Sequence, residues 1–266
     1  MNSPTRVQVR DAGTLLAVVP HLLGFHPADS LVVIAIGGPH HRVQLAFRYD
    51  LPDRPDRPFA AAIADHTVTL LHRQHLTTAV VIGYGPGTLV TPVADMIRDV
   101  LPKSGIALQD LLRVQDGRYW SYLCAEPSCC PAEGRPVSPA HPAATALAQA
   151  GLPAAASRAA LAATLAPLHG PAADAMEQAT ARAERAAARL LTGSGPDALD
   201  AAGLAAVKDA ITCYRGGGSL TDPGEFARLG LALTSLRVRD DAWARMDPAH
   251  RDAHTRLWTD LTRRAR

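Results

Sequence analysis

The chain has 266 residues, is 47% hydrophobic and 20% charged, and carries a formal net charge of +2. These values describe an ordinary globular protein with room for one large domain or two modest ones. They supply no global attraction to nucleic acid or an anionic membrane, and no apolar run approaches the roughly 20 residues that cross a bilayer.

Met1 to Asp11 lacks an apolar stretch and a cleavage pattern, so no secretory signal is expected. Asp11 is placed to cap a short helix carrying Leu15, Leu16, Val19 and Leu22, which Pro20 should end or kink. Gly24 to Ser30 reads as a loop, and Leu31 to Ile36 as a buried strand. Gly37, Gly38 and Pro39 form a turn, and Val43 to Tyr49 returns as the second strand of a hairpin. A proline-rich connection, Leu51 to Pro58, leads to a helix over Phe59 to Gln74. Thr77 to Ile82 is another buried strand, and Gly83 to Gly87 a loop. That loop sits where a phosphate cradle would sit, but it matches neither the dinucleotide fingerprint nor the P-loop and reads as a turn. Thr91–Pro92 starts a helix that runs to about Leu101. Ile106 to Val114 and Arg118 to Leu123 are extended segments joined by Asp116–Gly117, a strong hairpin signal.

Composition shifts near residue 137: alanine and leucine take over and strand signals vanish. Ser157 caps a helix that stops near Pro167, and Asp174 to Leu191 forms another that ends at Gly193. Leu204, Val207, Ile211 and Tyr214 recur at helical spacing up to Gly216. Asp222, Pro223 and Glu225 start a helix whose apolar face is Phe226, Leu229, Leu233 and Leu236. Asp247–Pro248 starts the last helix, and Arg263, Arg264 and Arg266 form a frayed basic end. The predicted fold is therefore an α/β domain over residues 1–137, in the order β-hairpin, α, β, α, β-hairpin, and an all-helical domain over 138–266.

The chemistry-bearing residues concentrate between Arg118 and Pro136. A strand over Arg118 to Cys124 would place Arg118, Trp120, Tyr122 and Cys124 on one face. Such a face can stack a base and pair a phosphate or carboxylate, or it can simply pack a core. Three of the four cysteines, Cys124, Cys129 and Cys130, cluster here, while Cys213 stands alone. This is no distributed disulfide framework, and a reducing, cytoplasmic location is expected. Three readings stay open for the cluster. It is a zinc site completed by a distant histidine such as His26 or His141, a reactive thiol, or a set of small residues in a proline-braced turn. His26 and Asp29, in the loop before the first strand, have the types of a general base and its orienting acid, although loop aspartates more often serve turns.

Two runs together resemble a known family. The first spans Leu15 to Leu31 with Pro20, Gly24, Phe25, His26, Pro27 and Asp29 to Leu31. The second holds Asp116, Gly117, Arg118, Trp120, Ser121, Tyr122, Cys124, Cys129, Cys130, Pro131, Gly134 and Pro136. Both resemble the actinobacterial domain-of-unknown-function family 4192, and the likeness extends through Leu236 to Trp243. The resemblance implies an actinobacterial, cytoplasmic protein and no particular activity. It also implies a short or truncated member, since similar chains continue with a further alanine- and leucine-rich helical region.

Two functions are carried forward. The first is a ligand-binding or regulatory module that holds a nucleotide or nucleic acid against Arg118, Trp120 and Tyr122, with the helical half binding a protein partner or self-associating. The second is a hydrolase using Cys124 or Cys130 as nucleophile or metal ligand, with His26 and Asp29 as base and orienter.

Overall fold

In a computed structural model, residues 7–265 are described, and they divide into two compact units, residues 7–160 and 161–265. An α/β domain followed by a helical region is what the structure contains. Segment 138–160, grouped by composition with the helical part, belongs to the first unit, where the helix Pro142–Gln149 packs on the helix Ala12–Leu23.

The first unit is built on a mixed six-stranded sheet. Its strands are β1 (Ser30–Gly37), β2 (Arg42–Asp50), β3 (Thr78–Tyr84), β4 (Ala107–Gln115), β5 (Arg118–Ser121) and β6 (Arg135–Pro136), in the spatial order β2-β1-β3-β4-β5-β6. Only β3 and β4 run parallel; every other neighbour pair is antiparallel. The apolar runs of β1 and β3 are buried on both faces, because period two sends alternate side chains to opposite layers. Leu31, Val33, Ala35, Ala79 and Val81 meet α2 (Arg57–Arg73) and α3 (Gly87–Lys103). Val32, Ile34, Val80 and Ile82 meet Leu15, Leu16 and Val19 of α1 (Ala12–Leu23). The unit is thus a three-layer sandwich.

Local stereochemistry sets the helix ends. Asp11 caps α1, its carboxylate accepting from the Thr14 N–H at 2.7 Å. Pro20 does not end α1; the helix passes through it to Leu23, where Gly24 at φ 80° closes it. Burial of Val18, Val19 and Pro20, with Val19 packed on the sheet, outweighs the one hydrogen bond that proline forfeits. α3 begins at Gly87 rather than at Thr91, because Leu89, Val90 and Val93 must reach the core and the Leu89 and Val90 N–H groups both donate to Pro86 O. Pro92 then falls inside the helix. Gly83 is required where β3 passes under α3: a Cβ there would lie 2.1 Å from Val90 Cγ1.

After α4 (Pro142–Gln149) comes α5 (Arg158–Thr164), started by Ser157, whose Oγ accepts from the Ala160 N–H at 3.0 Å. The second unit comprises α6 (Pro171–Ser194), α7 (Pro196–Arg215), α8 (Pro223–Ala232), α9 (Leu236–Ala244) and α10 (Arg251–Arg264). Its core holds Met176, Val207, Ile211, Tyr214, Phe226, Leu229, Val238 and Leu257. The apolar face expected to continue from Phe226 through Leu236 is broken. α8 stops at Ala232, and Leu236 starts α9 with its side chain 65% exposed. The hydroxyls cause the break: Thr234 Oγ1 donates to Leu231 O, and Ser235 Oγ donates to Asp200, so the backbone turns. Arg263 and Arg264 lie in the last turn of α10, and Arg266 is outside the described residues. No helix among the described residues is long and apolar enough to cross a membrane.

Candidate metal centre at the sheet edge

The Asp116–Gly117 turn sets the register of the β4–β5 hairpin, with Arg113 opposite Trp120 and Val114 opposite Tyr119. Both turn residues have positive φ, 48° and 69°, as a tight two-residue hairpin demands. β5 stops at Ser121, so the extended face expected through Cys124 is shorter than its period suggested. Beyond it the chain loops out through the cysteines and returns as β6, pairing Tyr119 with Arg135 and Arg118 with Pro136.

Residues Arg118 and Trp120 are tied to this loop. Arg118 Nε donates to Glu133 O at 2.7 Å, and Trp120 Nε1 donates to Ala132 O at 2.9 Å. Gly134, at φ 76°, lies against the indole: a Cβ there would be 2.5 Å from Trp120 Cε2. The Arg113 guanidinium stacks 3.8 Å from the ring centroid, held by a 2.7 Å hydrogen bond to Gln115. Tyr122 packs on the α2/α3 core, and its hydroxyl is 2.7 Å from Thr91 Oγ1. Burial pushes the Tyr122 phenol above its ordinary value. Each polar group of the proposed ligand face thus has an intramolecular partner. Arg113 was not singled out from the sequence, yet counting back across the two-residue turn from Trp120 finds it.

The loop brings Cys124, Cys129 and Cys130 together, with all three sulfurs within 4.8 Å of one another. A tight turn does this: the N–H groups of Cys129 and Cys130 both donate to Glu126 O, at 3.1 and 2.7 Å. Glu126 is held in turn by Ser128, whose Oγ donates to its carboxylate at 2.9 Å. Cys129 is exposed and the other two are half-buried; all are free thiols. The Cys124 thiol is held below its ordinary value by hydrogen bonding from Cys130 and from the Glu126 backbone. Cys130 is pushed up to about 12, chiefly because its proton is spent on Cys124. Zinc–sulfur bonds of about 2.3 Å in a tetrahedron put sulfurs about 3.8 Å apart. The observed cluster therefore needs only small adjustments to enclose a cation.

The remaining site candidates are not brought into this cluster. Its members are the three cysteines, with neither His26 nor His141 among them. His141 caps α4, its Nδ1 accepting from the Ala143 N–H at 3.2 Å. His26 is exposed, and its backbone pairs with Ala155. Asp29 has φ 42°, its carbonyl accepts from the Leu51 N–H, and its carboxylate lies beside Gly85. Among the described residues no hydrogen bond joins His26 to Asp29, so the base-and-orienter geometry is not formed. Cys213 belongs to α7 in the helical unit. That unit also holds a cleft of about 940 Å³ lined by alanines of α6 and α7 together with Asp209 and Glu225.

Fold and site define a three-layer α/β domain bearing a three-thiol loop on its sheet edge, followed by a helical unit. A family model described as Domain of unknown function (DUF4192) matches residues 13–266, and the chain belongs to that family. No curated protein and no solved structure matches the chain.

Proposed function

We propose that the chain is a ligand-binding regulatory module whose α/β domain binds a thiophilic divalent cation, zinc foremost, through Cys124, Cys129 and Cys130. One observation carries this reading: three thiols, supplied by a seven-residue stretch of sequence, converge within 4.8 Å on a loop that side chains of the adjoining strand hold in place. Softness of the donors favours zinc over magnesium or calcium. Binding would replace the thiol protons and lock the loop onto β5, so that metal occupancy controls the order of the sheet edge. Thiolate donors stay available to a cation where the milieu is reducing, so this reading goes with a cytoplasmic location.

A nucleotide or nucleic acid would have to displace the 132–134 backbone before reaching the Trp120 indole, so the aromatic face supports the cation reading better. The hydrolase reading has weaker support, since His26 and Asp29 form no hydrogen-bonded pair. The test is elemental analysis of the full chain purified in a non-thiol reductant. About one zinc per chain is expected by the structural-site precedent, lost on substituting serine at Cys124, Cys129 or Cys130 and retained in Cys213→Ser. Metal-free protein whose thermal midpoint does not move on adding zinc refutes the proposal.

A further inference from the structure

The three thiols of the loop are not equivalent to one another. All are free, and their sulfurs lie within 4.8 Å of each other. Cys124 and Cys130 are hydrogen-bonded through their thiols, and for each of them this contact outweighs the one with Cys129. The backbone enforces the pairing. The Cys130 N–H donates to Glu126 O at 2.7 Å, a turn that folds Cys130 back toward Cys124. Cys129 and Cys130 are a poor pair for a covalent bridge: sequence neighbours have Cα atoms about 3.8 Å apart, closer than the roughly 4.4–6.8 Å that a disulfide bridges.

The cluster is also accessible. Cys129 is exposed and the other two are half-buried, so a small solute reaches the sulfurs. An accessible thiol beside a second thiol is the arrangement that oxidation selects, whereas fully buried cysteines are inert. The framework around the loop can stay in place while the sulfurs close. Its return strand is fixed by the Tyr119–Arg135 and Arg118–Pro136 pairing, and residues 132 and 133 are held by Trp120 and Arg118. Closure therefore involves only the short stretch from Cys124 to Cys130.

We infer that Cys124 and Cys130 are a hydroperoxide-oxidisable pair whose disulfide excludes the cation from this loop. The exclusion of the cation rests on the three-thiolate reading above; the disulfide does not. The Cys124 sulfur attacks the hydroperoxide: an S–O bond forms, the O–O bond breaks, and the leaving oxygen departs as alcohol or water carrying the thiol proton. The Cys130 sulfur then attacks that of Cys124. The S–S bond forms, the S–O bond breaks, and the second oxygen leaves as water with the second thiol proton. The two thiols are oxidised by two electrons and the hydroperoxide is reduced by two. Cys129 alone remains, too few donors for a site that ordinarily uses four, and the cation departs.

The experiment uses the full chain carrying Cys213→Ser, which leaves only the three cluster thiols. It is reduced, freed of reductant and treated with hydrogen peroxide, metal-free and zinc-loaded in parallel. Thiol titration should fall from three per chain to one, with the intact mass lowered by two hydrogens and both restored by a phosphine. Adding Cys129→Ser should leave the bridge able to form, whereas Cys124→Ser or Cys130→Ser should abolish it. In the zinc-loaded chain a metallochromic indicator should report zinc release in step with thiol loss. A mass gain of oxygen without a bridge, a bridge between chains, or a bridge that survives Cys124→Ser or Cys130→Ser overturns the inference. So does a bridged chain that keeps its zinc. A chain that forms the bridge but never takes up zinc upholds the redox pair and refutes the metal reading alone.

Discussion

Gly134→Ala should act through a single contact. The new Cβ would lie 2.5 Å from Trp120 Cε2 and 2.8 Å from Cζ2, at a φ of 76° that side chains rarely adopt. The left-handed backbone costs about 1–2 kcal/mol for alanine. The indole cannot retreat freely, since Arg113 stacks on it and Ala132 O accepts its N–H. Moving it adds about 1–2 kcal/mol, the lower part of the range for overpacking because the ring is only half-buried. The metal-free loop can relieve this strain by opening, whereas the metal-bound loop cannot, so the cost appears in metal affinity. Competition with a chromophoric chelator should show zinc binding weakened by roughly 30-fold to several hundred-fold, at 1.4 kcal/mol per factor of ten. In a Trp120→Ala background only the backbone cost remains, and the same substitution should weaken binding by about 5- to 30-fold. An equal loss in both backgrounds, or none in either, would refute the claim that Trp120 clamps the cysteine loop.

Further expectations concern the two cores. Gly83→Ala should destabilise the α/β unit by about 1–3 kcal/mol, because its Cβ would fall 2.1 Å from Val90 Cγ1. Adding Val90→Ala should recover part of that loss, and strict additivity in urea unfolding would contradict the packing. Tyr214→Phe should cost the helical unit about 1–2 kcal/mol, read by the same method, since the buried hydroxyl donates to Asp260 at 2.6 Å. His254 is buried, and burial followed by the charge of Arg215 lowers its pKa; its Nε2 also accepts from the Asp247 N–H at 3.3 Å. The unfolded chain therefore takes up this proton first, so stability should fall as pH drops below about 6.5. His254→Asn should flatten the fall in thermal midpoint across that window, and an unchanged slope would assign the dependence elsewhere.

Much of the frame is legible in the residues. The buried runs Leu31–Ile36 and Thr77–Ile82, with helical patterns between strands, announce an α/β domain, and the alanine-rich remainder announces helices. The Asp116–Gly117 turn even carries the register that sets Arg113 against Trp120. Helix interruptions are less legible. Pro20 and Pro92 look like boundaries but lie inside α1 and α3, while the break at Leu233–Ser235 carries no glycine or proline to mark it. Propensity is a weak local prior, and burial against a sheet or a hydroxyl captured by a neighbouring helix overrides it.

The Arg118–Pro136 segment divides along the same line. Its residue types, the hairpin before it and the presence of three neighbouring cysteines are fixed by the chain order and by period-two geometry. That the sulfurs meet, that β6 returns beside β5, and that Arg118 and Trp120 hold the loop rather than face outward are decided only in three dimensions. Those contacts span a proline-rich loop of no regular period, and they are set by single donor–acceptor pairs such as Trp120 Nε1 with Ala132 O. Periodicity tells which way a strand residue points. It does not tell which carbonyl will be waiting there.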